Sequence, residues 1–346
     1  MEQRLAALPD QIGASLASEL PRLPLWLATA GHYLATGLGS SEAAARYFVS
    51  LLTTRDACRA SFRATGTFYS PQPKRAKTVL VVFSQGLSAN ACIALEHRSQ
   101  FAGVVLVTSS TVEGLRTEGQ EQKAAALAEL ERDGVMLIPH PMANEYTILP
   151  RFIGPACSLV AAHHLARLVG AEPPDFPDQA ELARLLRSAG SSEPAELDAW
   201  AAELSAGAAF NFTNGTVEYA QNLAAKVMES LYQPPPICRD VLLHAHGPFQ
   251  VDVAKPCPQW LFTTEAAAEQ ALCERLYPLF AHTTQPRTIV SPLPEPFAIF
   301  YYECFLNRIV CHAVRAAGID LIDWPGKGLD GPGYTLAKPY HPKTKD

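Results

Sequence analysis

Short apolar runs alternate with helix-length stretches along most of this chain. Between residues 31 and 170, one run ends near Thr36 and three others span 79–83, 103–108 and 135–139. Apolar runs of this length predict β-strands, and strands separated by helices pair in parallel. The pattern therefore predicts an α/β fold with a doubly wound parallel sheet.

The same plan repeats further along the chain. We predict strands at 209–213, 259–263 and 288–290, a helix that runs through Glu229, and a long apolar helix over 296–317. A polar, proline-rich stretch separates the two halves. We therefore expect a helical lead-in (1–30), a first domain (31–170), a linker with a short helix (171–205), a second domain (206–322) and a tail (323–346).

Composition narrows the possible functions. The chain has 346 residues, 48% of them apolar, and a net charge of −6 without a block of lysine and arginine. We therefore expect no nucleic acid and no membrane surface among its partners. With neither a signal peptide nor a membrane span in the sequence, we expect a cytoplasmic protein. The eight cysteines form no CxxC pair, so we expect no metal site.

Two loops of small and hydroxyl-bearing residues follow predicted strands. Their members are Gly39, Ser40 and Ser41 in the first loop, and Ser84, Gln85, Gly86 and Ser88 in the second. Both loops open onto predicted helices, whose first N–H groups are unpaired and favour anions. Ligands bind at the carboxyl ends of the strands in α/β sheets, so the two loops predict a phosphate site.

Several stretches resemble the double sugar-isomerase (SIS) family. Residues 39–47 are similar to its Gly-Ser-Ser-x-x-Ala-Ala-Arg-Tyr stretch, and residues 84–90 to its phosphate loop. Further along, the chain has the family's Lys-x-x-Glu at Lys226 and Glu229, its His-Gly-Pro at His246, and its final Leu-Ala-Lys at Lys338. The resemblance covers nearly the whole chain and implies two tandem flavodoxin-like domains, with the C-terminal tail folded over the site.

The resemblance also implies roles. Glu229 moves a proton between C1 and C2 of a sugar phosphate, which requires a carboxylate whose pKa burial has raised. His246 opens the sugar ring, and Lys338 closes the site from the tail. We expect Lys226, three residues before Glu229, to hold that carboxylate in place. The family further implies a homodimer, in which His246 can reach the neighbouring subunit, and a reaction without a cofactor.

The sequence departs from the family at three places. Its phosphate loop has lost one hydroxyl near Gln85. In the segment 144–151, which lines the sugar pocket in the family, Glu145 matches, but Tyr146 and Leu149 are bulkier and Arg151 replaces a lysine only with a shift of register. Asn222 stands where a member of the family has an acid. The sugar therefore stays open, as does the choice between isomerisation alone and isomerisation coupled to amine release.

The choice between catalysis and sensing also stays open. The chain lacks the glutamine-hydrolysing domain that precedes the isomerase part in some members, so we expect a stand-alone isomerase, deaminase or deglycase. The rival interpretation is a non-catalytic sensor that binds sugar phosphates. The altered phosphate loop favours the sensor, whereas Glu229 and His246 favour catalysis.

Overall fold

The structure is a computed structural model that describes residues 1–19, 21–53, 59–140, 145–191 and 193–334. The strands are β1 (His32–Gly37), β2 (Ala60–Phe62), β3 (Arg75–Phe83), β4 (Phe101–Thr108), β5 (Met136–Pro139), β6 (Ala209–Phe212), β7 (Cys238–Asp240), β8 (Gln259–Thr264) and β9 (Arg287–Ser291). The helices are α1 (Glu2–Leu16), α2 (Leu25–Ala28), α3 (Ser40–Thr53), α4 (Ala89–Leu95), α5 (Val112–Thr117), α6 (Glu121–Arg132), α7 (Ile153–Leu168), α8 (Gln179–Ser188), α9 (Pro194–Ser205), α10 (Gln221–Leu231), α11 (Pro248–Ala254), α12 (Ala267–Ala281) and α13 (Ala298–Ala317).

The chain divides into two compact units, each built on one sheet. The five-stranded unit comprises Ala14–Asn144, Gly154–Pro173 and the chain from Pro325. The four-stranded unit comprises Met1–Gly13, Glu145–Ile153 and Pro174–Trp324.

The five-stranded sheet has the order β2-β1-β3-β4-β5, and its neighbouring strands pair in parallel. From β1 the chain crosses to β2 on one side, and then returns past β1 to β3 on the other. The switch point, where α/β sheets bind ligands, therefore lies between β1 and β3. The strand centres are buried on both faces, which explains why β3 and β4 read as continuous apolar runs such as Val79–Phe83.

The four-stranded sheet has the order β7-β6-β8-β9 and is also parallel. Its switch point lies between β6 and β8. The core is aromatic, with Phe210 stacked on Trp260 at 5.3 Å and Phe212 stacked on Phe262 at 4.8 Å between ring centroids. Helix α13 is buried over most of its length, Glu303 included.

The predicted α/β class and parallel strand pairing are confirmed. The segment 171–205 differs from the expected linker, because it forms two helices, α8 and α9, that belong to the four-stranded unit. In α9, Trp200 packs edge-on against Phe305 of α13 at 5.2 Å, and Asp198 contacts His312 at 2.6 Å. These contacts bury one face of a stretch whose prolines and polar residues had suggested a connector.

None of the helices in the described part of the chain is both long enough and apolar enough to cross a membrane. The tail is described only as far as Tyr334, the last residue of a short 3₁₀ turn that begins at Gly331.

Candidate active site

The switch point of the five-stranded sheet holds the two predicted loops. Gly37 and Phe83 are register partners at the ends of β1 and β3, so the loops that follow them start at the same sheet edge. Gly39 has a φ of 61°, a left-handed conformation that favours glycine and turns the chain into α3. Ser41 is 8% exposed, and among the residues that the structure describes neither its hydroxyl nor that of Ser40 has a hydrogen-bond partner. Both hydroxyls are therefore available to a ligand.

Two serines of the second loop hold its shape. The Ser84 hydroxyl accepts the Ser88 N–H at 3.1 Å, and the Ser88 hydroxyl accepts the Ala91 N–H at 3.3 Å and caps α4. Each hydroxyl still has its own hydrogen to donate. The loop can therefore donate to an anion while these two bonds fix its backbone.

The Gln85 side chain lies against helix α7. A Cβ added at Gly154 would lie 2.3 Å from the Gln85 amide, so this side chain packs against the backbone at the start of α7. The Gln85 carbonyl oxygen accepts hydrogen bonds from the hydroxyls of Thr108 and Ser109. This close approach to α7 requires glycine at position 154, and the role of Gln85 in phosphate binding stays a prediction.

One cation near this loop was not predicted. The Lys123 ammonium on α6 donates to the Gly86 carbonyl oxygen at 3.3 Å, and its side chain is exposed. An ammonium in this position adds positive charge beside the serine hydroxyls. Sequence reasoning missed it because 37 residues separate it from Gly86.

The matching edge of the four-stranded sheet holds an internal carboxylate. Glu269 on α12 accepts hydrogen bonds from Thr213 and Asn214 after β6, both at 2.7 Å, and from the N–H and hydroxyl of Thr264 at the end of β8. Burial acts to raise the pKa of Glu269, but these hydrogen bonds outweigh it and hold the pKa below its usual range. The second switch point thus already contains an anion.

Glu229 lies in the last three residues of α10 and is partly buried. Burial raises the pKa of its carboxyl group, and the positive charges of Arg151 and Lys226 oppose that effect. Arg151 is itself fixed, since it donates to the carbonyl oxygens of Glu145 and Leu149 at 3.0 and 2.9 Å and lies 4.5 Å over the Tyr146 ring. A carboxyl group whose pKa burial has raised is a stronger base than an ordinary glutamate, which suits a group that accepts and returns a proton.

Lys226 does not hold Glu229 as we expected. Its side chain is 1% exposed and its ammonium pairs with the carboxylate of Glu303 on α13, whose other oxygen accepts the Asn222 amide at 2.5 Å. The Lys226 ammonium also lies 5.4 Å over the Phe152 ring. This degree of burial means that Lys226 acts through its neighbours.

Glu145 also differs from its expected role in a sugar pocket. It is 0% exposed, and its carboxylate accepts the N–H groups of Phe152 and Ile153 at 3.0 to 3.1 Å. These N–H groups lie at the start of α7, where a helix leaves its first donors unpaired. Glu145 is therefore a buried helix cap. The sequence does not predict this cap, because seven residues in an irregular loop separate Glu145 from Phe152.

The two histidines near position 246 have opposite environments. His244 is buried and stacked 4.0 Å from the Phe280 ring, and burial lowers its pKa. His246 is exposed at the end of a short 3₁₀ helix and is followed by Gly247, with a φ of 120°. The position chosen by resemblance is therefore the one that a substrate can reach.

Three further predictions concern Lys338, a metal site and a cofactor. Lys338 lies outside the described residues, so its role stays a prediction. Within the ranges that the structure describes, no three histidine, cysteine, aspartate or glutamate side chains are grouped as a metal site would require. The expectation that no cofactor is needed also stays a prediction.

Comparison with known proteins adds evidence at the level of structure. No protein-family model and no curated protein matches the sequence. The C-terminal domain of glucosamine-fructose-6-phosphate aminotransferase from Francisella tularensis matches with a TM-score of 0.71 at 14% identity, over 94% of this chain and 97% of that one. Glucosamine-6-phosphate deaminase from Thermotoga maritima matches with a TM-score of 0.61 at 12% identity, over 93% and 97%. This chain has the double sugar-isomerase fold.

The sugar-isomerase fold agrees with the motifs quoted from the sequence, and the α/β fold with parallel sheets that they implied is confirmed, whereas the position of the tail over the site stays a prediction. A fold hosts many chemistries, so the activity has to be argued from side chains. The side chains that bear on it are those of the β1–β3 crevice (Ser41, Ser84, Ser88 and Lys123) and the carboxylate of Glu229.

Proposed function

We propose that this chain is an enzyme of the phosphosugar isomerase type, with Glu229 as the base that transfers a proton between C1 and C2 of the sugar. The observation that carries the proposal is the environment of Glu229, a partly buried carboxyl group with a raised pKa beside Arg151. The sugar-isomerase fold supports it, because the two named neighbours are a domain of glucosamine-fructose-6-phosphate aminotransferase and a glucosamine-6-phosphate deaminase.

The proposed reaction starts from the open-chain sugar. The ionised Glu229 carboxylate takes the proton from C2 of an aldose, and the electrons of the C–H bond form the C1–C2 double bond as O1 takes up a proton from water. The resulting enediol then gives the O2 proton to water, and Glu229 returns its proton to C1, which gives the ketose. His246, exposed in its loop, is the group we assign to ring opening, since an imidazole ring can both accept and donate a proton.

We assign the phosphate group to the β1–β3 crevice. The Ser41 hydroxyl has no partner among the described residues, Ser84 and Ser88 have hydrogens to donate, and Lys123 supplies a positive charge. A phosphate monoester carries nearly two negative charges at neutral pH and accepts several hydrogen bonds. The presence of an amino group on the sugar, and its release, remain alternatives within this proposal. The homodimer and the cytoplasmic location stay predictions.

Proton exchange in D₂O is the direct test. Proton NMR would follow deuterium incorporation at C1 and C2 in a panel of hexose and hexosamine 6-phosphates and the corresponding free sugars. We expect exchange with at least one phosphorylated compound. Glu229→Gln should lower the rate by about 10²- to 10⁴-fold while ligand affinity stays nearly unchanged. The matched control is Glu274→Gln, which alters an exposed carboxylate of the same unit.

Two outcomes would contradict the proposal. Bound sugar phosphate without exchange would favour the non-catalytic sensor, and equal loss of binding and exchange in Glu229→Gln would remove the assigned role. The crevice has its own test: Ser41→Ala should weaken binding of the phosphorylated ligand about tenfold, as loss of one hydrogen bond to a charged group does. Lys123→Ala should also weaken it, whereas Lys77→Ala, a lysine near the start of β3, should not.

A further inference from the structure

A buried ion pair connects α10 to α13 close to Glu229. Lys226 on α10 and Glu303 on α13 are 1% and 0% exposed in their side chains and bind each other directly. Asn222, one turn before Lys226, donates to the second oxygen of Glu303 at 2.5 Å. Both oxygens of the Glu303 carboxylate are thus bound by side chains of α10.

Lys226 has two carboxylates within reach of α10. Glu303 lies across the helix interface, whereas Glu229 lies three residues along the same helix, a spacing at which side chains are neighbours. A buried ammonium without a counter-charge is strongly unfavourable, so we expect the Lys226 ammonium to pair with one of these two carboxylates. The structure places it on Glu303.

We propose that Glu303 is a positioning residue for the proton transfer: by binding the Lys226 ammonium, it keeps that ammonium from pairing with Glu229 and leaves the Glu229 carboxylate free for the substrate. The inference rests on the proposed function of Glu229 as the base. Glu303 would act on Glu229 only through Lys226, because its side chain is fully buried.

Within the described residues, a second cation besides Lys226 acts on Glu229. Arg151 is the second cation that acts on Glu229, and its guanidinium is held by backbone carbonyl oxygens as described above. Arg4 lies close to Arg151, since it also donates to the Glu145 carbonyl oxygen, at 3.1 Å.

Near the ion pair itself, Cys304 is the further titratable group. Burial raises the pKa of its thiol to about 12, with the Glu303 charge adding to the effect, so the thiol stays neutral at the pH of the experiments. The carboxyl group that responds to loss of Glu303 is therefore that of Glu229.

Direct titration of Glu229 tests the inference without any substrate. Carboxyl ¹³C NMR of the full chain, with the Glu229 signal assigned by its loss in Glu229→Gln, gives the pKa in each variant. In Glu303→Gln, the Lys226 ammonium keeps a hydrogen-bond acceptor but loses its counter-charge. We therefore expect it to form an ion pair with the Glu229 carboxylate. We expect the Glu229 pKa to fall by about one unit, as it does for a carboxyl group that gains a cationic partner.

A second substitution should reverse the effect. In the double variant Lys226→Met, Glu303→Gln the competing ammonium is gone, so the Glu229 pKa should return to the wild-type value or rise above it. The deuterium-exchange rate at neutral pH should follow the same order, about tenfold lower in Glu303→Gln and recovered in the double variant to within about threefold of wild type. Glu274→Gln, the exposed control, should change neither quantity.

The outcomes separate this inference from the function on which it rests. An unchanged Glu229 pKa in folded Glu303→Gln, or a double variant no better than the single one, would overturn the role of Glu303. Wild-type protein that binds sugar phosphate without exchanging its protons would overturn the proposed function, and the titration would still decide whether Glu303 governs the partner of Lys226.

Discussion

Replacement of Glu145 by alanine is expected to destabilise the folded chain strongly. Its carboxylate accepts the N–H groups of Phe152 and Ile153, which belong to residues only 0% and 3% exposed. Each of the two buried donors left without an acceptor costs about 1–3 kcal/mol, and loss of a negative charge at a helix start about 0.3–1 kcal/mol, which together predict a loss of about 2–7 kcal/mol. This is a large fraction of the stability of a typical protein.

Urea denaturation followed by circular dichroism measures the loss, and amide hydrogen exchange at Phe152 and Ile153 locates it. Glu145→Gln keeps one acceptor oxygen in place, so it should lose about 1–2 kcal/mol and remain folded. The control is Glu121→Ala, an exposed residue in the first turn of α6, for which we expect less than about 0.5 kcal/mol.

The assay also decides between the two interpretations of Glu145. A helix cap predicts lower stability and faster exchange at the two amides, with sugar-phosphate affinity unchanged in Glu145→Gln. A residue of the sugar pocket predicts weaker binding at unchanged stability, and that result would refute the reasoning from the structure.

Three further predictions concern stability. Because burial raises the pKa of Glu229, ionisation of its carboxyl group lowers the free energy of unfolding as pH rises through that pKa. Glu229→Gln should therefore raise the urea midpoint at pH 8. Below the ordinary pKa of glutamate, the same substitution should give no gain in stability. Gly103→Ala would place a Cβ 2.2 Å from the Trp26 ring and should cost about 1–3 kcal/mol with altered tryptophan fluorescence, whereas Gly31→Ala, with its nearest contact at 3.4 Å, should cost less. Glu269→Ala should lower the thermal midpoint, and millimolar inorganic phosphate should restore more of it than in wild type, because the released donors favour an anion.

The strands that could be predicted from the sequence are those with long apolar runs. β3, β4 and β8 have buried centres on both faces, and this burial is what makes the runs continuous. β2 and β7 were missed because each is a three-residue strand at a sheet edge, too short for any periodicity to emerge. Their pairing is determined by the neighbouring strand, which is tertiary information.

The candidate site could be predicted only where its residues form a local motif. Glu229 was found through Lys-x-x-Glu on one helix. Glu303 carries no such signal, since it lies between Tyr302 and Cys304 in an apolar helix, 81 residues from Asn222, and only the packing of α10 on α13 gives it a role. The same packing explains why the prediction for Lys226 was wrong. Helical spacing predicts an ion pair with Glu229, whereas in the fold the Lys226 ammonium pairs with the buried Glu303 carboxylate.

The two switch points share a topology but differ in charge, and this difference bears on how many phosphate groups the chain binds. At the β6–β8 edge, the polar donors already bind Glu269, and Glu295 lies close by, accepting the Gly215 N–H at 3.1 Å. A phosphate group with nearly two negative charges would have to displace one carboxylate and approach another, which like-charge repulsion opposes. At the β1–β3 edge, the hydroxyl of Ser41 has no competing acceptor among the described residues, and Lys123 adds a cation. The repeated fold therefore favours one phosphate group per chain, at the five-stranded sheet.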